Sequence, residues 1–528
     1  MRNKFGLKII LLGILLICLG SIHLLQKQHS FSEYVISESE LENIKMERTE
    51  SSEPLLTTLN FNDNSLFYDS SRQTYYYSLI DGDADAYNPF IFFKAANDDV
   101  CLAMGPERIT EEVISSNTSI TIIAYDENCF SQYSLKCTTL PLMNITCEEE
   151  IFDDAVPMQL QLFDNRRDCT IRNICSDGLI HLRGATTKRF PKKGYRISLT
   201  ENKKNGNIVS NKSNLLGMRN DDDWILYAGY NDQEKVRHVF STNLWKYSCA
   251  TDNSVGLDVG MEYHYVELFV NQEYYGLYAL GYPLDEKQFN IKKESDTEFL
   301  YKKTSWDSEL SITEASSVPI PGYITDSVSS NAWLPLKDYY VMINSKTYSD
   351  NENLYESIDI DNAIDIYLFY NFIQAADNVI PGAMKNILIA AKYRDGKYKM
   401  IYAPWDMDIS WGNDFEGTDT YPYAIPPSQN WLMEVGGIAP LIDRDDPNIR
   451  SLVQDKYKSL RESVWSEKSI NHLIDQYEVD IFDSGAYLRD MERWPDGLYS
   501  QPEMKLSLFR EHVMQRLTYM DIDYHYNK

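Results

Sequence analysis

Two acidic turns and the hairpin between them hold the residues of this chain best placed to do chemistry. Asp377 opens a loop that runs to Lys385-Asn386. ILIAAKY (387–393), Arg394-Asp395-Gly396-Lys397 and YKMIYA (398–403) follow, and then Trp405-Asp406-Met407-Asp408 on to Trp411-Gly412. Asp-Gly between two apolar, strand-like runs predicts a tight β-hairpin. Pairing Arg394 with Lys397 and counting back along the ladder sets Asn386 opposite Trp405 and next to Asp406. Asp377 then lies on the loop before the hairpin and Asp408 just beyond it. Oxygen-bearing side chains gathered on loops at strand ends suit Mg2+ or Mn2+. The alternative is that these Asp and Asn residues serve only as turn and cap residues.

Such turns need elements to hold them. From Asp361 to Ala376 apolar residues recur at Ile364, Tyr367, Leu368 and Phe372, which predicts an amphipathic helix delivering Asp377. Upstream, Gly178 to Leu199 reads as a strand, a turn with Gly184 and two threonines, and a second strand entered through Lys192-Lys193. Lys193 shares parity with Tyr195, Ile197 and Leu199, and Lys192 with Arg196 and Ser198. A lysine facing a cleft from an inner strand would neutralise phosphate. The alternative is an exposed basic edge strand. A helix is predicted over Val239–Tyr247, and a hairpin from Tyr265–Val270 and Tyr274–Leu280. Tyr301 to Ser349 reads as loop, and Leu452–Trp465, Ser469–Phe482 and Lys505–Tyr519 as helices. A sheet-rich half followed by a helix-rich half is the outline of a two-lobed α+β domain.

The chain has 528 residues, room for two to four domains, and a formal charge of −29, which argues against binding nucleic acid through its phosphates. Arg2, Lys4 and Lys8 precede an apolar run from Ile9 to Leu25 with no evident cleavage site. Residues 1–28 therefore read as a cytoplasmic tip and single-pass transmembrane signal anchor, the bulk of the chain lying outside the cell membrane. Residues 29–57 are polar and acidic and predict a flexible stalk. Residues 58–150 alternate short β-rich runs with turns and predict a small β-sandwich. Cys101, Cys129, Cys137, Cys147, Cys169 and Cys175 cluster, and outside a cell would form up to three disulfides. Buried free thiols are the alternative. The main domain is expected over 151–525, with a sheet-rich lobe at about 151–300 and a helix-rich lobe at about 351–525.

Several segments, in order, resemble the spore-coat CotH family of atypical protein kinases. Arg183-Gly184-Ala185-Thr186-Thr187 through Pro191-Lys192-Lys193-Gly194-Tyr195 resembles the family's RGNSS…PKKSY element. Trp224 through Tyr230, Asp232 and Arg237 is similar to WxLxxxYxDxSxxRN, and Asn271 to Tyr278 to NGxYxGxY. Lys385-Asn386 and Trp405-Asp406-Met407-Asp408…Gly412 resemble the KN and WDxDxxFG signals. Catalytic Asp, metal-binding Asn, hairpin and metal-binding Asp is also the order in which protein kinases present these groups.

The resemblance implies an outward-facing, ATP-dependent kinase acting on Ser or Thr of surface or secreted proteins, with ATP and Mg2+ or Mn2+ as cofactors. It implies that Asp377 orients or deprotonates the acceptor hydroxyl, and that Asn386 and Asp406 hold the metal, with Asp408 a further ligand or structural partner. Lys192 or Lys193 would contact nucleotide phosphate, with Arg183 and Arg237 in matching motifs that touch phosphate or brace the lobes. The chain departs from the pattern at Ala185, at Glu234 (family Ser), at His238 (family Asn) and at Tyr282 (family Glu). Nine positions separate Asp377 from Asn386, against about five in ordinary kinases. The rival reading is a catalytically weak kinase-fold module of the cell surface or spore coat; a carboxylate-pair glycosidase fits only the abundance of acids and aromatics.

Overall fold

The computed structural model describes residues 29–202, 207–307, 312–345, 351–380, 383–414, 416–417, 422–424 and 436–526. The anchor expected over 1–28 lies outside the described residues, among which no helix is long and apolar enough to cross a membrane. Two compact units divide the chain. One takes the described residues up to Leu140 together with Asn165–Asp168, and the other takes Pro141–Asp164 and everything from Cys169 on.

In the first unit two sheets of short strands share one apolar core. One sheet contains Leu56–Phe61 and Phe90–Ala95, the other Thr74–Ser78, Ile120–Tyr125 and Cys129–Thr138. Period-2 alternation sends Leu59 and Phe61 from the first sheet, and Ile120, Ile122 and Ala124 from the second, into that core.

Two expectations need correction here. The segment read as a stalk is folded: Phe31–Tyr34 and Glu38–Met46 are helical, and Ser37 with Glu40 forms a reciprocal capping box on the second helix. Phe31 and Leu41 are each 1% exposed. Two buried side chains and a cap are enough to hold a short acidic helix against a core, which a composition average hides. Disulfides are the second. Cys101, Cys129, Cys147, Cys169 and Cys175 carry free thiols. Strand pairing sets Cys101 opposite Tyr125 and Cys175 opposite Gln161, so neither faces another cysteine across its ladder.

The second unit is built on a closed ring of strands. These are β1 (Leu142–Thr146), β2 (Val156–Phe163), β3 (Asn173–Arg183), β4 (Gly194–Asn202), β5 (Asp223–Tyr227), β6 (Tyr263–Val270) and β7 (Glu273–Gly281). Their order is β3-β2-β1-β6-β7-β5-β4, and β4 pairs back onto β3, which leaves the ring without an edge. All pairs are antiparallel except β1 with β6. β1 lies before the expected start of this domain at residue 151, and without it the ring would be open between β2 and β6. Tyr195, Ile197 and Leu199 of β4 are buried as their parity requires.

That parity does not extend to the two lysines. β4 begins at Gly194, and the bend at Pro191-Lys192 turns Lys192 inward (1% exposed) and leaves Lys193 half-buried.

α1 (Arg237–Ser248) follows β5. A separate sheet joins β8 (Phe299–Lys303) to the predicted hairpin, β9 (Ile387–Arg394) and β10 (Lys397–Pro404). Within the stretch read as loop, α2 (Leu334–Asn344) starts with Pro335 in its first turn, where a missing N–H costs nothing. α3 (Ile360–Ile373) is capped by the Asp359 carboxylate, which accepts from the Asn362 N–H, and is buried on every face from Asn362 to Ile373. The amphipathic expectation fails because its polar residues also have inward partners. Asn362 makes two hydrogen bonds with the Tyr402 backbone, and Asn371 takes the Arg516 guanidinium. The last helices are α4 (Ile449–Arg461), α5 (Glu467–Glu478), α6 (Ala486–Arg493) and α7 (Ser507–Asp523), so the unit is a mixed α+β fold.

Candidate active site

The hairpin forms in the predicted register, with Arg394 opposite Lys397 and Ile387 opposite Pro404. Asp395 and Gly396 both have positive φ (51° and 83°), as a two-residue turn matched to strand twist requires. At its open end the Trp405 N–H donates to the Asn386 carbonyl at 3.0 Å. Asn386 and Asp406 then leave the ladder in the same left-handed conformation, φ 55° and 54°, which Asn and Asp tolerate best among residues with a Cβ.

Asn378, fully buried, ties both strand ends together. Its Nδ2 donates to the Asn386 carbonyl at 3.1 Å and to the Trp405 carbonyl at 2.8 Å. Asp377 arrives from α3 after Gln374 ends that helix at φ 51°. Its carboxylate accepts from Asn386 Nδ2 at 3.0 Å and pairs with Lys385 at 2.8 Å. Burial raises the Asp377 pKa, and Lys385 opposes that shift.

Asp408 is buried, accepting from Asn231 Nδ2 at 3.4 Å and from the Ile409 N–H at 3.1 Å. Burial, with the charges of Asp406 and Asp377, pushes its pKa up to about 8. The Asp406 carboxylate, half-buried, accepts no hydrogen bond from the described residues.

Asp377, Asn386, Asp406 and Asp408 line one cavity of about 380 Å3, together with Arg183, Lys192, Lys302, Lys385 and the Gly184–Thr187 turn. The turn needs its glycine. Gly184 has φ 109°, and a Cβ there would meet Thr187 Oγ1 at 2.1 Å.

Among the described residues no three His, Cys, Asp or Glu side chains form a ready-made metal cage. The oxygens present still fit Mg2+ or Mn2+, which bind through one or two carboxylates and complete their shells with water and substrate phosphate. Asp406 makes no hydrogen bond or ion pair with the described residues. Asn386 spends its Nδ2 on Asp377 and so keeps Oδ1 for a ligand.

The other candidate cations divide. Lys192 reaches the cavity wall, but its ammonium is held inside the ring by Asp490 at 2.7 Å and the Leu277 carbonyl at 2.5 Å, over the Tyr278 ring. Burial lowers the Lys192 pKa and Asp490 opposes the shift. Lys193 lies outside the cavity lining, and its ammonium donates to the Lys188 carbonyl. Arg237 is also outside it, buried between Asp232 and Glu234, which raise its pKa, with its guanidinium over Phe509 of α7. Arg237 is thus a brace between α1 and α7.

Three departures from the family pattern have structural partners. Glu234 is one of the two carboxylates holding Arg237. His238, kept neutral because burial lowers its pKa to about 4, accepts from the Met407 N–H and steadies the Asp406–Asp408 turn. Tyr282 stacks under the Arg219 guanidinium, 4.3 Å away.

Against sequence models of known families, residues 180–520 match that of the CotH kinase protein family. The chain belongs to the CotH kinase protein family. A comparison with curated proteins finds no match. The matched stretch includes every cavity residue named above, from Arg183 to Asp408.

Sequence reasoning missed Lys302, Asn378, Asn231 and Asp490. Lys302 sits on β8, in a stretch begun at Tyr301 that reads as loop. Its signal was the apolar FLY before the Lys-Lys pair. Asn378 and Asn231 adjoin motif residues but resemble ordinary turn asparagines. Asp490 lies 298 residues from Lys192, and nothing local links them.

Proposed function

We propose that this CotH kinase protein transfers the γ-phosphoryl group of ATP to Ser or Thr hydroxyls of a surface or secreted protein. The observation that carries the reading is the convergence of Asp377, Asn386 and Asp406 on one cavity that Arg183 and Lys302 also line. An acceptor oxygen bonds to the γ-phosphorus as the bond to the β,γ-bridging oxygen breaks, and ADP leaves with that electron pair. Asp377 orients the acceptor and takes its proton. Lys385, 2.8 Å from Asp377, opposes the burial that raises the carboxyl pKa and holds the carboxylate in place. Asn386 and Asp406 would hold Mg2+ or Mn2+, with Asp408 behind them, and the ion would neutralise charge on the transferring phosphates. The Gly184–Thr187 turn offers backbone N–H groups and two hydroxyls beside the same space. The outward placement rests on residues 1–28 alone, since the clustered cysteines lend it no disulfide.

The test is transfer of label from γ-labelled ATP by the full chain with Mg2+ or Mn2+. Labelling of itself or of a co-expressed surface protein is expected, abolished by chelation and by Asp406→Ala or Asp377→Ala. Wild-type labelling no greater than that of Asp406→Ala would defeat the reading. ATP-dependent thermal stabilisation without such labelling would leave a kinase-fold binding module.

A further inference from the structure

The cavity is lined by two cations that make no ion pair among the described residues. Lys385 is spent on Asp377 and Lys192 on Asp490. At the same turn, Lys188 pairs with Asp153 and Arg189 with Glu416. Arg183 and Lys302 alone among the cavity-lining cations make no ion pair and no hydrogen bond with the described residues. Both rest instead on the indole of Trp405. The Arg183 guanidinium carbon lies 5.0 Å from the ring centroid and the Lys302 ammonium 3.9 Å. Burial, with the repelling charge of Arg183, lowers the Lys302 pKa to about 8, and the Asp406 charge opposes the shift. In a chain with 79 acidic and 50 basic residues, carboxylate partners are abundant. Two like charges held on one aromatic ring without an ion pair, with Asp406 beyond ion-pair distance and the Gly184–Thr187 turn beside them, mark a place for an anion bearing several charges.

Backbone geometry keeps them there. Arg183 ends β3, pinned by its pairing with Gly194. Lys302 is mid-strand in β8, paired with Leu388 of β9, and Trp405 follows β10. One cation is thus carried by the ring of strands and the other by the sheet bearing Asn386 and Asp406. A guanidinium offers a planar fork and an ammonium a point charge, a pairing suited to adjacent phosphate groups.

We propose that Arg183 and Lys302 form a two-sided clamp, across Trp405, for the polyphosphate tail of a nucleoside triphosphate, and that Lys192, Lys193 and Arg237 do not contact it. The identity of the anion as a nucleotide rests on the phosphoryl-transfer reading above; the clamp itself does not.

Calorimetric titration of the full chain with sodium tripolyphosphate, without divalent metal, isolates the clamp from catalysis. Wild type is expected to bind. Lys302→Met should weaken binding about tenfold or more, ~1.4 kcal/mol for each factor of ten, as loss of a charge-assisted contact does. Lys302→Arg, which keeps the charge, should stay within about threefold of wild type. Lys397→Met, which removes the same charge from the exposed hairpin turn, should change nothing.

Acylation of Lys302 in the wild-type protein, read by mass spectrometry, needs no variant to fold and should be slowed by tripolyphosphate. Binding by Lys302→Met equal to wild type, no binding by wild type, or no protection of Lys302 would each overturn the clamp. If tripolyphosphate binding depends on Lys302 while labelling is no greater than in Asp406→Ala, the clamp stands and phosphoryl transfer falls. If labelling exceeds that of Asp406→Ala while tripolyphosphate binding ignores Lys302, transfer stands and the clamp falls.

Discussion

Replacing Lys192 by Met while leaving Asp490 in place would test whether this ion pair braces the fold. Neither side chain has any exposed surface. Asp490 Oδ1 accepts from Lys192 and from the Leu277 N–H at 2.9 Å, and Oδ2 accepts from the Tyr499 hydroxyl at 3.0 Å. Lys192→Met removes one of three donors to a buried carboxylate and leaves the Leu277 carbonyl without its ammonium. Breaking a buried pair from one side costs about 3–5 kcal/mol. The two donors left on Asp490 argue for the lower end, about 3 kcal/mol. Asp490→Asn keeps the shape but strands the ammonium, which burial already disfavours, so a loss of similar size is expected.

The double variant has neither charge to strand, so the pair should show a coupling of about 1.5–3 kcal/mol. Urea unfolding followed by tryptophan fluorescence is the assay, since Trp494 donates to the Tyr275 carbonyl next to the pair. Additive losses, with coupling under about 0.5 kcal/mol, would refute the claim that Lys192 is held chiefly by Asp490. Unchanged tripolyphosphate affinity in Lys192→Met, at a temperature where it is folded, is expected as well.

Asn378→Ala should leave the Trp405 carbonyl without its side-chain donor and let Asn386 and Asp406 shift, lowering phosphate transfer by about 100-fold if the displacement nears 1 Å. A loss under about threefold would count against a positioning role. Gly184→Ala puts a methyl where Thr187 Oγ1 lies and strains a backbone at φ 109°, so weaker triphosphate binding is expected with little change in the hairpin, read by calorimetry and hydrogen exchange.

Asp365 gives a pH prediction. Both its oxygens are buried without a hydrogen bond, and although Lys456 is 3.4 Å away it lies closer to Asp252, so burial dominates and raises the pKa to about 8. The folded form holds a proton that the unfolded chain releases above its ordinary value near 3.8. Stability should therefore fall as pH rises from about 5 to 8, by up to about 1.4 kcal/mol per unit. Asp365→Asn should flatten that slope; an unchanged slope in unfolding experiments would exclude Asp365 as its source.

Local chemistry alone determined the hairpin and what its ends present. Asp395-Gly396 selects the turn, the period of two fixes the ladder, and Asn386 must then face Trp405, with Asp406 next in line. Asp377, Asn386, Asp406 and Asp408 were legible for that reason, and the ordered motifs from Arg183 to Gly412 named the family. Contacts distant along the chain decided the rest. The bend at Pro191 and the charge of Asp490, 298 positions away, settle that Lys192 points inward and is neutralised there. Lys302 reaches the cavity only because β8 joins the hairpin sheet and sets it on Trp405. Burial of Phe31 and Leu41 turns an acidic segment into part of a folded unit, and strand pairing sets Cys101 and Cys175 opposite residues other than cysteine. Composition and spacing report what a residue can do; its partners, and so whether its charge is spent or free, are set by which surfaces the fold brings together.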